Sequence, residues 1–407
     1  MFKNVRMKAV IGANFGDEGK GLMTDYFSSQ SVKEGRKTIV VLVNGGSQRG
    51  HTVVTPEGFR HVFNHFGSGT LAGADTFLSK YFIINPLIFK KEFVGLKDKG
   101  LHTAIYIDQD CLVTTPFDML INQVAEEVRG DKRHGSCGLG INETIKRNLV
   151  YPIKYGELIS TGLLVHKLID IRDNYVYKRL EELGIKDIPT KYASLLTNDN
   201  LIMNYANDVK FILNHAITTN STILYEYESI IFEGSQGLLL DQNNTEYFPH
   251  LTPSNTGMQN VTEMMKELKY QNAEIEIVYV TRAYMTRHGP GKFFTETPEK
   301  PFAKILDMTN VPNQFQGTLR YGLLDVDLLG KTIAHDLTEN AGEKYTCALA
   351  VTCLDQLDPD VSFVYDGKTV TLDKYSLLDI MGEDITEKIY ISNGLTRDTI
   401  EEYNYEI

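Results

Sequence analysis

The sequence has no run of Lys or Arg longer than two residues, only four Cys, and no apolar run near the roughly 18 residues that a membrane-spanning helix needs. Each absence excludes a class of function. Lys and Arg total 41 against 53 Asp and Glu, a formal charge of −12, so no broad basic face is available to neutralise duplex phosphates and nucleic acid is not an expected partner. A small anion in a locally basic pocket remains compatible with that balance. The first residues, Met1 to Arg6, lack the apolar stretch of a signal peptide; no membrane association and a cytoplasmic location are expected. Cys111, Cys137, Cys347 and Cys353 form no Cys-x-x-Cys pair and no Cys/His metal spacing, so reduced thiols are expected. Proline is sparse, at 12 of 407 residues, and no repeat or low-complexity tract occurs, which excludes collagen-like and disordered chains.

What remains is an ordinary globular composition with short apolar runs bounded by turn residues: Met7 to Ile11, Thr38 to Val43, Ser229 to Phe232, Ile275 to Val280, and Cys347 to Thr352. Runs apolar on both faces predict buried parallel strands. Helical periods lie between them, as at Pro86 to Leu96 and Asn122 to Arg129. The expected fold is α/β, a mostly parallel central sheet flanked by helices with a P-loop-like nucleotide-binding architecture. One continuous domain over residues 1–407 is expected, with a helical excursion at about 151–225, where Tyr, Leu, Asn and Lys mix at helical spacing.

The run Met7 to Ile11 leads into Gly12-Ala13-Asn14-Phe15-Gly16-Asp17-Glu18-Gly19-Lys20-Gly21 and then an apparent helix from Leu22 to Phe27. Strand, Gly-rich turn with Lys and helix N-terminus is the arrangement that aims backbone N–H groups and a helix dipole at phosphate oxygens. It is not a Walker A loop. Gly21 stands where a hydroxyl would hold Mg²⁺, and Asp17 and Glu18 put carboxylates inside the loop. A carboxylate beside polyphosphate is repelled unless a cation intervenes or it has its own chemistry; Asp17 is therefore a candidate magnesium ligand or general base. The run Thr38 to Val43 ends in Asn44-Gly45-Gly46-Ser47-Gln48-Arg49-Gly50-His51-Thr52. That loop sits at the carboxyl edge of the predicted sheet, where such folds bind ligands, and His51 can donate to a developing oxyanion.

These residues resemble the adenylosuccinate synthetase family. Gly16 to Gly21 resembles its phosphate loop and Gly50-His51-Thr52 the end of its second loop. The resemblance continues through Phe232-Glu233-Gly234-Ser235-Gln236-Gly237, Thr252-Pro253-Ser254-Asn255-Thr256, Thr286-Arg287-His288-Gly289-Pro290-Gly291, Thr352-Cys353-Leu354-Asp355 and Ile391-Ser392-Asn393-Gly394. It implies a ligase of purine biosynthesis that joins L-aspartate to C6 of IMP with GTP and Mg²⁺, through a 6-phosphoryl intermediate. Asp17 would take the proton from purine N1, His51 would stabilise O6 as it attacks the γ-phosphoryl group, and Gln236 would orient the ring. Asp17 and the backbone of Gly50 would face Mg²⁺. Gly16, Glu18, Gly19, Lys20, Gly21 and Thr52 would meet the phosphates of GTP, with Cys353, Asp355, Ser392, Asn393 and Gly394 around its base.

Further positions carry over by the same resemblance. Gln48, where the family usually has Asn, and Thr252 would lie near IMP. Gly135-Ser136-Cys137-Gly138-Leu139-Gly140 matches the loop for the IMP phosphate, with Ser136-Cys137 in place of a Thr pair. Arg147, or Lys146 if the alignment shifts by one, would reach across a homodimer interface. The family's Arg-rich loop for the aspartate carboxylates reads Gln314-Phe315-Gln316-Gly317-Thr318-Leu319-Arg320-Tyr321-Gly322 here, leaving Thr318 and Arg320 to bind the amino acid. Cys353 stands where a Lys stacks on guanine, while Asp355 keeps the acceptor that selects guanine; GTP is expected, with ATP as the alternative. The alternative substrate is (d)GMP, giving a 2-amino analogue, as in viral relatives that replace the loop carboxylate with a small residue; Asp17 favours IMP. A P-loop ATPase switch would need a hydroxyl at Gly21, and a catalytically dead paralogue would have lost Asp17 or His51.

Overall fold

The structure, a computed structural model, describes residues 5–101, 103–130, 135–270, 273–307, 310, 317–342 and 344–404. Met1 to Asn4 and Gln314 to Gln316, among the residues read above, lie outside them. Among the described residues a ten-stranded sheet runs Ile400–Tyr403, Ile389–Ser392, Tyr345–Thr352, Ile275–Arg282, Arg6–Gly12, Ser229–Glu233, Thr38–Leu42, Asp75–Leu78, Ile105–Asp108, Ile217–Thr219. Every neighbouring pair is parallel except the edge pair of Ile389–Ser392 and Ile400–Tyr403.

The sheet is covered on both faces, and the strand period of two sorts the residues between them. Val10, Val40, Leu42, Ile231, Val278 and Ala350 pack with the helices at Lys20–Lys33, Pro86–Lys97, Pro116–Arg129, Thr161–Ile171 and Asp199–His215. Ala9, Ile11, Ile39, Val41, Phe232, Ile277 and Leu349 pack with those at Gln259–Glu267, Val326–Asn340 and Lys374–Asp384. The expected continuous apolar runs are thus strands buried on both sides. Helix Pro116–Arg129 begins six residues before the periodic segment starting at Asn122; Pro116 occupies the first turn and Thr115 with Asp118 closes a capping box.

The 151–225 stretch is mainly helical and also supplies the edge strand Ile217–Thr219 and a π-helical turn at Arg172–Val176. No helix among the described residues is long and apolar enough to cross a membrane. All four cysteines are free thiols.

The first strand lies where chain connections diverge to the two halves of the sheet, and the loops after the parallel strands gather at its carboxyl edge. That is the crevice in which open α/β sheets take ligands.

Candidate active site

Helix Lys20–Lys33 starts from Gly19 in the left-handed region (φ 98°) with no side-chain cap, so the positive end of its dipole is open to an anion. Inside the loop, Glu18 Oε1 accepts from the backbone N–H of Asn14 at 3.0 Å and of Gly16 at 2.7 Å. Its Oε2 pairs with Lys20 Nζ at 2.9 Å, the two side chains being 4% and 1% exposed. The Glu18 carboxylate is thus the internal counter-anion of Lys20 and holds two of the loop's own donors, so only the backbone of Glu18 is left to meet a nucleotide. Removing one partner of a buried pair leaves an uncompensated charge, so Glu18→Ala is expected to lower unfolding free energy by about 3–5 kcal/mol. Denaturant titration tests this. An unchanged midpoint contradicts the role.

The second loop packs directly on the first. A Cβ on Gly21 would come within 3.1 Å of His51 Cβ and of the Thr52 carbonyl oxygen, so Gly at 21 is the condition for this approach rather than a lost hydroxyl. His51 Nδ1 lies 2.6 Å from Glu233 Oε1, at the end of a buried strand. Glu233 also meets Arg49 Nη2 at 2.8 Å and accepts from Ser68 N–H at 3.0 Å and from the Ser68 hydroxyl. Burial opposes the ionisation of Glu233, but Arg49, His51 and Ser68 outweigh it and hold the carboxyl at about 2. Burial and then the Arg49 charge push the His51 ring down to about 4, against the pull of Glu233. An ionised Glu233 fixes the proton on His51 Nδ1 and leaves Nε2 for a ligand. Asn64 Nδ2 donates to the Ser47 and Arg49 carbonyl oxygens, bracing the loop that carries Gln48 and the exposed Gly50. Gln48 Oε1 is buried without a protein partner.

Asp17 is the open carboxylate, 29% exposed, with His288 Nε2 at 3.4 Å from its Oδ2 and its backbone carbonyl held by Arg282 Nε. Gln236 faces this loop from the next strand end. It is left-handed (φ 65°), and a Cβ on Gly237 would meet Asn14 O at 2.2 Å, so the two loops touch along their backbones. Thr252 is tied to the same segment through its N–H to Leu240 O at 2.9 Å. Asp17, Gln236, His51 and Thr252 therefore sit on segments that adjoin one another through their backbones.

The outer wall joins pieces distant in sequence. A Cβ on Gly135 would reach Pro290 Cδ at 2.8 Å, so the 135–140 loop abuts the 288–291 turn. Ser136 Oγ accepts from Asn122 Nδ2 at 2.8 Å, and the Gly135 and Ser136 N–H groups donate to Glu126 Oε2 at 2.9 and 3.2 Å. Cys137 follows with a thiol that burial pushes up, a neutral and weak donor. Thr318 is exposed.

Both Arg positions are paired within the chain, and the reading of Arg147 needs correction. Arg320 is not a free cation: it pairs with Glu296 through Nε at 2.7 Å and Nη2, and Nη1 clamps the carbonyls of Gly289 and Gly291 at 3.1 and 2.9 Å. Arg147 is fully buried, bound to Asp118 at 2.9 Å and to the Tyr151 and Val113 carbonyls, so it cannot extend to another chain. Lys146 beside it is exposed, with Leu149 and Val150 on the same surface.

At the other end, the strand carrying Thr352 leads to Cys353 (φ 63°) and an exposed Asp355. Thr352 Oγ1 donates to Glu18 O at 2.7 Å, which ties this end to the phosphate loop. A cavity of about 280 Å³ lies there, lined by Leu354, Ile391, Asn393, Lys374, Tyr375 and Tyr403. Ser392 Oγ donates to Gly394 O at 2.9 Å, shaping its rim.

Among the described residues no cluster of three or more His, Cys, Asp or Glu could hold a metal alone. The donor set suits Mg²⁺ nonetheless, because that ion is bound through one or two carboxylates completed by substrate phosphates and water, and Asp17 is an open carboxylate beside an anion cradle. Sequence reasoning singled out no role for Glu233, Arg49, Ser68 or Arg282. The available signal was a charged residue ending an apolar strand at Glu233 and Arg282, and inside a Gly-rich loop at Arg49.

A family profile described as adenylosuccinate synthetase matches residues 9–362. The chain is 30% identical over 340 residues to the adenylosuccinate synthetase of Borrelia turicatae, covering 80% of this chain and 73% of that one. It is 30% identical over 294 residues to that of Mycobacterium marinum, covering 70% of this chain and 64% of that one; the chain thus spans less than two thirds of that mycobacterial relative. Among solved structures, a fully ligated adenylosuccinate synthetase from Plasmodium falciparum superposes with a TM-score of 0.74 at 17% identity, over 97% of this chain and 99% of that one. A cyanophage S-2L succinoaminodeoxyadenylate synthetase, solved with dGMP and with dATP as energy donor, superposes with a TM-score of 0.62 at 12% identity, over 98% and 95%. At these identities the two structures speak for the fold.

Proposed function

Because the chain belongs to the adenylosuccinate synthetase family, we propose that it is a ligase forming a C–N bond between L-aspartate and C6 of IMP, driven by GTP. The observation that carries this reading is the open Asp17 carboxylate inside a phosphate loop, with a Glu233-backed His51 packed against that loop. A purine 6-oxo group is a poor leaving group, so the amine needs O6 converted to a phosphate ester. Asp17 accepts the N1 proton, which moves electron density to O6, and Gln236 orients the ring. O6 then attacks the γ-phosphorus, forming the O–P bond as the bond to GDP breaks. The aspartate amine, as its free base, adds to C6, inorganic phosphate leaves with the former O6, and the nitrogen gives up one proton to water.

In the free protein the His51 ring is held down to about 4. Polyphosphate brings several negative charges beside it and raises its proton affinity. With Nδ1–H on Glu233, the charged ring donates Nε2–H to O6 as charge develops there. Mg²⁺, held by Asp17 and the Gly50 backbone, would supply positive charge to the phosphate oxygens. Gly16, Gly19, Lys20, Gly21 and Thr52 take the phosphates. Asp355, Ser392, Asn393 and Gly394 take the base, with Cys353 giving up the cation that would stack on it.

Gln48, Thr252, Ser136 and Cys137 hold the IMP nucleotide, and Thr318 with Arg320 holds the aspartate, Glu296 being displaced from Arg320. A homodimer is part of the proposal, with Lys146 rather than Arg147 reaching toward the second copy. So are a single domain over 1–407 and a cytoplasmic location.

A second reading, a ligase acting on (d)GMP with ATP as donor, is favoured by Cys353. It is tested by offering IMP, GMP and dGMP with GTP or ATP and aspartate, and following product by absorbance and mass. IMP with GTP is expected to give kcat/KM at least about tenfold above any other pair, a difference of about 1.4 kcal/mol in transition-state binding. A preference for dGMP or ATP overturns the substrate assignment and leaves the ligase chemistry standing.

A further inference from the structure

Asp17 is held from two sides by groups that meet on one anchor. Arg282 Nε grips its backbone carbonyl, and Arg282 Nη2 lies 3.3 Å from Asp307 Oδ2. On the other side His288 Nε2 sits 3.4 Å from Asp17 Oδ2 and 3.0 Å from Asn310 Oδ1. Asn310 is fixed on the same Asp307, donating its backbone N–H at 2.9 Å and its amide Nδ2 at 2.8 Å.

The orientation of that amide decides the His288 tautomer. Its nitrogen is spent on Asp307, so the atom facing His288 is an oxygen, which only accepts. Nε2 therefore carries a hydrogen, while Nδ1 is buried without a protein partner. The Nε2–H donor lies between two acceptors, Asn310 and Asp17. A separation of 3.4 Å is longer than a full hydrogen bond, and such contacts tighten when substrate closes a site.

We infer that His288, oriented by Asn310 and Asp307, is a positioning residue for Asp17: it holds Oδ2 and so leaves Oδ1 to take the proton from the purine. This rests on the reading of Asp17 as the base in the proposed reaction. It assigns a task to a residue which that reaction otherwise does not use. Both side chains are partly open, 24% for His288 and 29% for Asp17, so the pair borders the volume in which a ligand would sit.

The test compares His288→Leu, which keeps bulk and removes the donor, with His288→Gln, which can present an N–H at a similar reach. For His288→Leu kcat is expected to fall about tenfold or more with KM for GTP within about twofold, while His288→Gln keeps kcat within about threefold of the parent. Thermal melts establish that each variant folds. Should His288→Leu not fold, Asn310→Ala decides the matter, with kcat expected to fall about threefold at unchanged KM for GTP. Parent-like kcat in His288→Leu, or in Asn310→Ala when that variant decides, overturns the inference, as does an equal loss in Leu and Gln. A parent protein that makes no product with any purine nucleotide overturns the reading of the reaction instead, and the inference falls with it.

Discussion

Asp17→Asn is expected to bind IMP, and nucleoside triphosphate measured without Mg²⁺, within about threefold of the parent affinity and to turn over at least about a thousandfold more slowly, the upper range for loss of a general base. Asn keeps the size of the side chain and a carbonyl oxygen that can face His288. It cannot accept the N1 proton. Without that transfer O6 stays a neutral carbonyl oxygen, a poor nucleophile toward phosphorus. Because Glu18 and Lys20 pair with each other and not with the Asp17 carboxylate, the loop should keep its shape and the melting temperature should move little. Single-turnover assays with separate binding titrations give the two numbers. Loss of binding equal to loss of turnover would mean that Asp17 serves to hold ligand, and substantial turnover would remove its role as base.

His51→Asn is the second large effect. An Asn amide can donate one neutral hydrogen bond, but it cannot carry the positive charge that Glu233 stabilises. A fall in kcat of about 10²–10³ is expected, the scale of losing one donor aimed at a developing oxyanion, with KM for IMP and GTP changed by no more than about threefold. Removing the ring also leaves Glu233 buried against Arg49 and Ser68 alone. That pair is still neutralised, so the variant should fold. If KM rises and kcat holds, His51 contributes to ground-state binding and the oxyanion role is wrong.

The loops at the carboxyl edge of the sheet were legible because glycine spacing and apolar runs are local signals. Strands apolar on both faces announced a buried parallel sheet, and Gly12 to Gly21 after the first of them announced an anion cradle. Charged residues were less legible. Glu18 and Arg147 both carry the character of ligand contacts in sequence, and both are buried in ion pairs, with Lys20 and Asp118. Only the tertiary partner separates a free charge from a neutralised one. Glu233 was visible within a family segment, but its use as the backing of His51 depends on two loops 182 residues apart in sequence meeting. The edge strand Ile217–Thr219 gave no signal because three residues, two of them exposed, are too few to establish a period. The start of helix Pro116–Arg129 was written in Thr115, Pro116 and Asp118, a capping pattern that periodicity alone passes over.

In the proposed reaction Asp17 makes O6 of the purine a nucleophile toward phosphorus, so the oxygen originally on C6 leaves on phosphate. The direct measurement follows the label from IMP carrying ¹⁸O at C6, in the presence of GTP and aspartate, by mass spectrometry of the inorganic phosphate. One ¹⁸O per phosphate is expected for every product molecule formed by the parent protein, with no labelled phosphate above background from Asp17→Asn. Unlabelled phosphate accompanying product formation, or labelled phosphate formed at the parent rate by Asp17→Asn, would contradict it.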